Sequence, residues 1–252
     1  MDLPEKVRIF SGPQNRVNSV VILGKEGTVV VDTQVTLEDG QAVKRLAEES
    51  STKPIVAVVI THEHFDHIAG NQHFACSIIS TREARDEIEK SKDTVSQWIP
   101  GLKVTPPNIA FDSKCALHLG DLTLNMRAEG GHCRGECSIF ISEMSTLITG
   151  DLVFNGRTPF IGSADIPQWI AALTGLYALD PELVIPGHGE PGGKEILLKQ
   201  REWLERFMDG ALSSKRKGLD ASEACAQVLE AMGLPADRKQ MVQAAVDKLY
   251  SR

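Results

Sequence analysis

Residues 55–67 read IVAVVITHEHFDH, an apolar run that leads directly into a cluster of histidine and acidic side chains. The apolar part, residues 55–60, is typical of a strand buried on both faces, and Pro54 prevents a helix from continuing into it. A tight turn after such a strand can aim all the side chains of the cluster at one point. Imidazole and carboxylate groups bind zinc, iron and manganese. The run therefore predicts a metal site at the end of a strand.

Three further candidate ligands lie beside glycine, each after a predicted strand. They are His132 in EGGHCRGE, Asp151 in TGDLVF and His188 in IPGHGEPGG. Glycine lets the backbone turn sharply and approach other groups closely. Because rigid strands fix where loops begin, loops at one edge of a sheet can converge. Together these segments predict one shared site.

The order of predicted elements indicates the fold class. Strands at 7–10, 18–23 and 28–31 precede a helix at 37–50; after the strand at 55–60, we expect a helix near 68–73, a strand at 77–79 and a helix at 81–92. Residues 93–112 are expected to form an irregular connector or flap. Strands at 116–119, 122–128, 138–141 and 146–148 then precede a helix at 166–179 and a strand at 183–185. Each half thus has strands first, which predicts two facing sheets with helices outside, a four-layer αββα sandwich of the α/β (α+β) class.

The last sixty residues are predicted to be helical, with breaks at Gly218 and Gly233. We expect residues 1–211 to form a hydrolase domain and residues 212–252 to form a C-terminal helical extension packed on it.

Composition limits the partners and the compartment. The 252 residues carry 27 Lys and Arg against 34 Asp and Glu, a net charge of −7, which argues against a nucleic-acid partner. No apolar run approaches the roughly 18 residues that span a bilayer, and the first ten residues lack a signal-peptide pattern. The five cysteines form no CxxC pair, which fits a reducing compartment. We therefore expect a cytoplasmic protein with a small-molecule substrate, no nucleic-acid partner and no membrane association; its oligomeric state is left open.

The motifs from Asp32 to His188 carry a resemblance to a known family. The sequence resembles the metallo-β-lactamase-fold hydrolases, which include glyoxalase II, lactonases, class B lactamases and ribonuclease Z, and all five sequence blocks occur in order. The resemblance implies an αββα sandwich with two metals at one edge and a glyoxalase II-like ligand set. It assigns one metal to His62, His64 and His132, and the other to Asp66, His67 and His188. Asp151 would bridge the two metals, and Asp32 would orient the 62–67 loop.

This ligand set implies a reaction. Two zinc ions roughly 3.5–4 Å apart, with iron or manganese as alternatives, would share a hydroxide that attacks the carbonyl of a small ester, thioester or lactone. Asp66 would also act catalytically by accepting a proton. No GxSxG motif indicates a serine nucleophile. Two alternatives stay open: a mononuclear iron dioxygenase acting on a persulfide, and a true β-lactamase, although Asp151 stands where class B1 lactamases carry cysteine.

Several residues outside the ligand set are candidates for other roles. Phe154 and Arg157 follow Asp151 and are expected to line the substrate pocket, with Arg157 pairing with a substrate carboxylate; Trp98 is a candidate flap residue. Cys133, beside His132, is interpreted as structural, with redox sensitivity or a metal contact as alternatives. The remaining histidines with no glycine-rich turn, His73 and His118, are interpreted as structural.

Overall fold

The computed structural model describes residues 3–13 and 17–251. Its first sheet has six strands in the order β1-β2-β3-β4-β5-β6. Neighbours are antiparallel from β1 to β3 and parallel from β3 to β6. The strands are β1 (Val7–Ser11), β2 (Asn18–Leu23), β3 (Thr28–Val31), β4 (Ile55–Val59), β5 (Ser77–Thr81) and β6 (Ile109–Phe111).

The second sheet has five strands in the order β11-β10-β9-β8-β7. All its neighbours are antiparallel except β10 and β11, which are parallel. The strands are β7 (Lys114–His118), β8 (Thr123–Ala128), β9 (Cys137–Ile141), β10 (Thr146–Ile148) and β11 (Leu183–Ile185).

The two sheets face each other across a shared apolar core. Val31 and Val59 of the first sheet belong to the same buried cluster as Ile139 and Ile185 of the second. The outer face of the first sheet packs against α1 (Leu37–Ser50) and α2 (Arg82–Val95), and α3 (Ile166–Tyr177) belongs with the later helices to a separate cluster on the second sheet. Burying one face of each layer in this way gives the four-layer αββα sandwich, and that prediction is confirmed.

Helix α1 begins at a capped turn and is held very close to the segment that follows the histidine run. The Thr36 side chain accepts a hydrogen bond from the backbone N–H of Asp39, which satisfies a free amide at the helix start. A β-carbon placed on Gly70 would lie 2.3 Å from the Thr33 carbonyl oxygen and 2.7 Å from the Gly40 α-carbon. Glycine at both positions thus allows α1 to pack backbone to backbone here.

One prediction about local structure holds with a different helix type, and another is wrong. The helix expected near 68–73 is present as a short 3-10 helix, Ala69–His73, and a second 3-10 helix, Phe65–His67, precedes it. The first two amides of the Ala69–His73 helix, those of Ala69 and Gly70, donate to the carbonyls of residues 34 and 33. The irregular connector expected over 93–112 also contains β6, which pairs with β5. A strand of three residues carries too little sequence pattern to be recognised.

The C-terminal helices are α4 (Glu195–Arg216), α5 (Ala221–Ala231) and α6 (Lys239–Tyr250). The predicted breaks are confirmed, since Gly218 and Gly233 have φ of 80° and 62° after α4 and α5. Helix α4 runs without interruption across residues 211 and 212, and α5 and α6 share one buried cluster with α3 and α4. The division at 211 therefore stays a prediction. Within the described residues, no helix is both long and apolar enough to span a bilayer.

Candidate metal centre

The candidate ligands lie at the carboxyl ends of strands from both sheets. The turn after β4 carries His62, His64, Asp66 and His67, and the loops after β8, β10 and β11 carry His132, Asp151 and His188. All seven side chains meet at one edge of the sandwich. They form two adjacent groups of donor atoms. Gly187 allows this approach, because a β-carbon there would lie 2.1 Å from Asp151 Oδ1.

The first group contains three imidazoles and one carboxylate. His64 Nδ1 lies 3.0 Å from His62 Nε2 and 3.0 Å from His132 Nε2. Asp151 Oδ2 lies 3.7 Å from His62 Nε2 and 3.6 Å from His132 Nε2. Tetrahedral zinc with bonds of about 2.0 Å needs donor atoms about 3.3 Å apart. The spacing of these four atoms therefore fits a single small cation.

Hydrogen bonds on the far side of each ring determine which nitrogen faces the group. The Asp32 carboxylate accepts the Thr61 hydroxyl at 2.8 Å, so the Thr61 oxygen is free to accept His62 Nδ1–H at 3.0 Å. His132 Nδ1–H donates to the Phe160 carbonyl at 3.1 Å. Both Nε2 atoms then carry lone pairs that point at His64 Nδ1.

A positive charge in the middle would stabilise that arrangement. His64 Nδ1 carries at most one proton and can donate to only one of its two neighbours at 3.0 Å. The other contact would bring two lone pairs together in a buried site, which costs free energy. A cation at the shared point satisfies all of these donor atoms at once.

The second group lies on the other side of the Asp151 carboxylate. Asp151 Oδ1 is 3.3 Å from His67 Nε2, and Asp151 Oδ2 is 3.2 Å from His188 Nε2. Asp66 Oδ2 is 3.9 Å from His67 Nε2 and 3.6 Å from His188 Nε2. Asp151 therefore contacts members of both groups. His67 Nε2 and Asp151 Oδ1 are buried with no hydrogen-bond partner, which fits a second cation between them.

Asp32 connects the two groups from behind. Its φ is 59°, and its side chain is buried. Oδ1 accepts the Thr61 backbone N–H at 2.8 Å, and Oδ2 accepts His67 Nδ1–H at 2.8 Å as well as the Thr61 hydroxyl. One carboxylate thus orients His67 directly and His62 through Thr61.

The electrostatics of the metal-free centre differ from ring to ring. Burial, followed by the nearby His67, holds the pKa of His62 well below its usual value, and burial lowers the pKa of His132 to about 3. Burial would also lower the pKa of His67, but the surrounding carboxylates, Asp151 first, outweigh it and raise that pKa. Neutral imidazole is the form that binds a metal, so two of these rings are already in that form at neutral pH.

The family can be decided on this geometry together with the sequence. The profile of the metallo-beta-lactamase superfamily matches residues 12–188, which is most of the chain and includes every candidate ligand. The chain belongs to the metallo-beta-lactamase superfamily. The predicted membership of the metallo-hydrolases with this fold is therefore confirmed.

The chain is similar to a thioesterase and to a probable metallo-hydrolase. The chain is 25% identical over 215 residues to the acyl-coenzyme A thioesterase MBLAC2 of Homo sapiens, covering 73% of this chain and 77% of that one. It is 29% identical over 190 residues to a probable metallo-hydrolase of Methanocaldococcus jannaschii, covering 70% and 89%. Among solved structures, a metallo-beta-lactamase from Pontibacter korlensis superposes with a TM-score of 0.68 at 18% identity, over 81% of this chain and 97% of that one. This last likeness shows the shared fold.

A cavity of about 600 Å³ opens over the two groups of donor atoms, and Asp66 and Asp151 line it. The three predicted pocket residues Phe154, Arg157 and Trp98 also line it. The Phe154 ring stacks on His188, with ring centres 5.0 Å apart and planes within 6°. Trp98 is 57% exposed and packs edge-on against Phe65.

Some residues around the centre were missed by sequence reasoning. Glu136 is fully buried; its Oε1 accepts the Asp151 backbone N–H at 3.2 Å, and its Oε2 lies 3.7 Å from His62 Nδ1. Burial, and then the Asp151 charge, raise the pKa of Glu136 well above its usual value. Its place four residues after His132 was the available signal. Arg238 lines the cavity from a turn before α6, and no motif marks it.

His73, His118 and Cys133 make contacts that fit structural roles. His73 Nε2 bonds the Leu37 carbonyl at 2.9 Å, and His118 Nδ1 bonds the Thr123 hydroxyl at 3.1 Å; both lie outside the two donor groups. Cys133 is buried with its sulfur 3.2 Å from Glu63 Oε2. Burial, and then the nearby carboxylates, raise the pKa of the Cys133 thiol, which disfavours the thiolate that a metal or an oxidant needs.

Proposed function

We propose that the protein is a dinuclear metal-dependent hydrolase that cleaves thioesters of small acids. The single observation that carries the proposal is the pair of donor groups that share the Asp151 carboxylate beneath an open cavity. In this proposal, one metal is held by His62, His64 and His132 and the other by Asp66, His67 and His188, with Asp151 contributing to both. Zinc suits the donor set, and iron or manganese are the alternatives.

Two bound divalent metals would supply Lewis acidity, which polarises a carbonyl and makes water nucleophilic at neutral pH. The chain's own residues hold and orient the reactants. Asp66 is the candidate proton acceptor, because its carboxylate lines the cavity beside His188. Phe154 and Phe160 on the cavity wall reduce the access of bulk water to the reacting carbonyl.

In the overall reaction, the water oxygen forms a bond to the acyl carbon and the carbon–sulfur bond breaks. Asp66 takes one proton from the attacking water and can return it to the departing sulfur, so that the products are a carboxylic acid and a thiol. A thiolate is a good leaving group and needs little help from a general acid, so a single carboxylate suffices in this site.

The preference for a thioester is supported by a relative and by the cavity. The human relative at 25% identity is named as an acyl-coenzyme A thioesterase. The cavity wall has aromatic side chains that suit an acyl group, contributed by Phe65, Trp98, Phe154 and Phe160. Esters and lactones share the reacting carbonyl and are the first comparison substrates.

The proposal is tested by metal analysis and a substrate panel on the same preparation. Protein reconstituted with zinc, iron or manganese is assayed with thioesters, esters, lactones, β-lactams and a persulfide. We expect two metals per chain and the highest kcat/KM with thioesters. One iron per chain together with oxygen consumption on the persulfide would instead support the dioxygenase alternative and overturn the proposal.

Asp151→Ala is the variant that tests the shared carboxylate. Because Asp151 contacts both groups, we expect this variant to lose the second metal and several orders of magnitude in kcat. Asp209→Ala, on the exposed face of α4, is the matched control and should keep both. Full turnover in Asp151→Ala would contradict the mechanism.

A further inference from the structure

The cavity over the donor groups carries two arginine side chains that the proposed hydrolysis does not use. Arg157 comes from the loop that follows Asp151, and Arg238 comes from the turn Ala236–Arg238 between α5 and α6. Residue 238 lies well beyond residues 12–188, which match the superfamily profile. The C-terminal helices therefore contribute a charged side chain to this cavity that the common part of the fold does not contain.

The charges on the cavity wall are unevenly distributed. The acidic residues that line it are Asp66 and Asp151, and both face histidines of the donor groups. Away from the donor groups, the charged groups on the described wall are the guanidinium groups of Arg157 and Arg238. Guanidinium binds carboxylate and phosphate through paired hydrogen bonds. The chemistry of this wall is thus complementary to an anion.

Arg157 also borders a second cavity of about 380 Å³, which shares residues of the 154–158 loop with the first. Lys199 and Trp203 of α4 line this second cavity. A substrate part that reaches past the loop would meet the exposed cation of Lys199 and the half-buried indole of Trp203 there. The two cavities together provide room for a leaving group that extends well away from the reacting carbonyl.

We propose that Arg157 and Arg238 bind an anionic group, phosphate or carboxylate, on the leaving-group side of the substrate, while the acyl group lies against Phe65 and Trp98. For the identity of the reaction this inference rests on the proposed thioester hydrolysis; the binding step does not. The protein would thus select acyl thiols that carry a negative charge and discriminate against neutral ones.

Binding is tested without catalysis by calorimetry with three S-methylated thiols. S-methyl coenzyme A carries phosphates, S-methyl glutathione carries carboxylates, and S-methyl N-acetylcysteamine is neutral; methylation prevents a thiolate from binding metal. We expect Arg157→Ala and Arg238→Ala each to lower the affinity for the preferred anionic ligand by about tenfold or more. The weak affinity for the neutral ligand should not change. Arg238→Lys should restore part of the affinity, since it keeps the charge and loses the paired geometry.

Lys239→Ala is the matched control, because Lys239 is an exposed cation next to Arg238 that does not line either cavity. It should bind all three ligands as the parent does. Preference for the coenzyme A derivative identifies phosphate as the anion, and preference for the glutathione derivative identifies carboxylate. Equal losses for charged and neutral ligands, or no loss in Arg157→Ala and Arg238→Ala, would overturn the proposal.

Kinetics with the corresponding acetyl thioesters separates this inference from the proposed function. The arginine variants should raise KM for the anionic thioester about tenfold while kcat changes little, because the contact is made equally in the ground state and the transition state. If no thioester is hydrolysed but the arginine variants still weaken anion binding, the proposed reaction fails and the anion site stands. If thioesters are hydrolysed and the variants treat neutral and anionic substrates alike, the anion site fails.

Discussion

Replacing Asp32 with asparagine tests how the metal-facing nitrogens of His62 and His67 are selected. Asparagine accepts the left-handed conformation of this residue, φ 59°, so the change adds no backbone strain. It keeps an oxygen for the Thr61 backbone N–H. The amide nitrogen replaces Oδ2, the atom that accepts both the Thr61 hydroxyl and His67 Nδ1–H at 2.8 Å.

The size of the effect follows from those two lost acceptors. The new amide group faces two donors, and the conflict is relieved only if both rings move a proton from Nδ1 to Nε2, the atom that faces the donor groups. A hydrogen bond to a buried charge contributes about 1.5–3 kcal/mol, so we expect the metal-free protein to lose about 3 kcal/mol of unfolding free energy. Changing an outer partner of a ligating histidine costs about 10–100-fold in metal affinity; with two rings affected we expect about 100-fold or more.

The assay is a competition titration of zinc against a chromophoric chelator, with metal content measured on the same samples. Circular dichroism checks that Asp32→Asn is folded, and urea unfolding gives its stability. Asp209→Asn, on the exposed face of α4, should match the parent in both measurements. A folded Asp32→Asn protein whose zinc affinity stays within about twofold of the parent would refute the reasoning, because the tautomers would then be set by something other than this carboxylate.

Four further changes have expected outcomes that follow from packing, from hydrogen bonding or from metal binding. Gly70→Ala should destabilise the protein by about 2–4 kcal/mol in urea unfolding, because its β-carbon would overlap the Thr33 carbonyl oxygen; Gly210→Ala, where the β-carbon meets only a side-chain methyl at 3.4 Å, should instead stabilise helix α4 by about 0.5–1 kcal/mol. Trp169→Phe should cost about 1–3 kcal/mol, measured in the same way, because it leaves the buried Leu152 carbonyl without the indole N–H at 2.9 Å. Removing metal with a chelator should lower the midpoint of thermal unfolding, and adding zinc back at about 1,000 times its dissociation constant should restore about 4 kcal/mol; an unchanged midpoint would argue against a buried cation.

The strongly patterned parts of the chain were predictable from sequence because local signals and tertiary packing agree there. The strand before the histidine run, the capped helix α1 and the breaks at Gly218 and Gly233 all show this agreement, although the strand is fully buried only from Ala57 onward and Val56 is exposed. Strand β6 was missed because pairing with β5, rather than its own three residues, stabilises it.

In the candidate site, too, residues with a local sequence signal were predicted and residues placed by tertiary structure were missed. Four of the predicted ligands sit in the compact run THEHFDH and three lie beside glycine, and each of these short segments is itself the turn that aims the side chains. Glu136 and Arg238 reach the site through the tertiary fold alone. Glu136 is the fourth residue after a ligand, in a loop whose path fixes its direction, and Arg238 is brought to the cavity by helices that begin after the last ligand. For Glu136 the one sequence signal is its closeness to His132, and for Arg238 no motif gives a signal.

The centre is divided between the two sheets, since four of its side chains follow β4 and three follow strands of the other sheet. The packing of apolar side chains between the sheets determines how the strands of one sheet are positioned relative to those of the other. A slip of one residue along a strand is about 3.3 Å, as large as the spacing of the donor atoms themselves. The apolar side chains between the sheets, including Val59 and Ile139, therefore fix the relative position of the two halves of the metal centre without contacting the substrate. Adding or removing a methyl group in this core would displace the donor atoms at the edge of the sandwich.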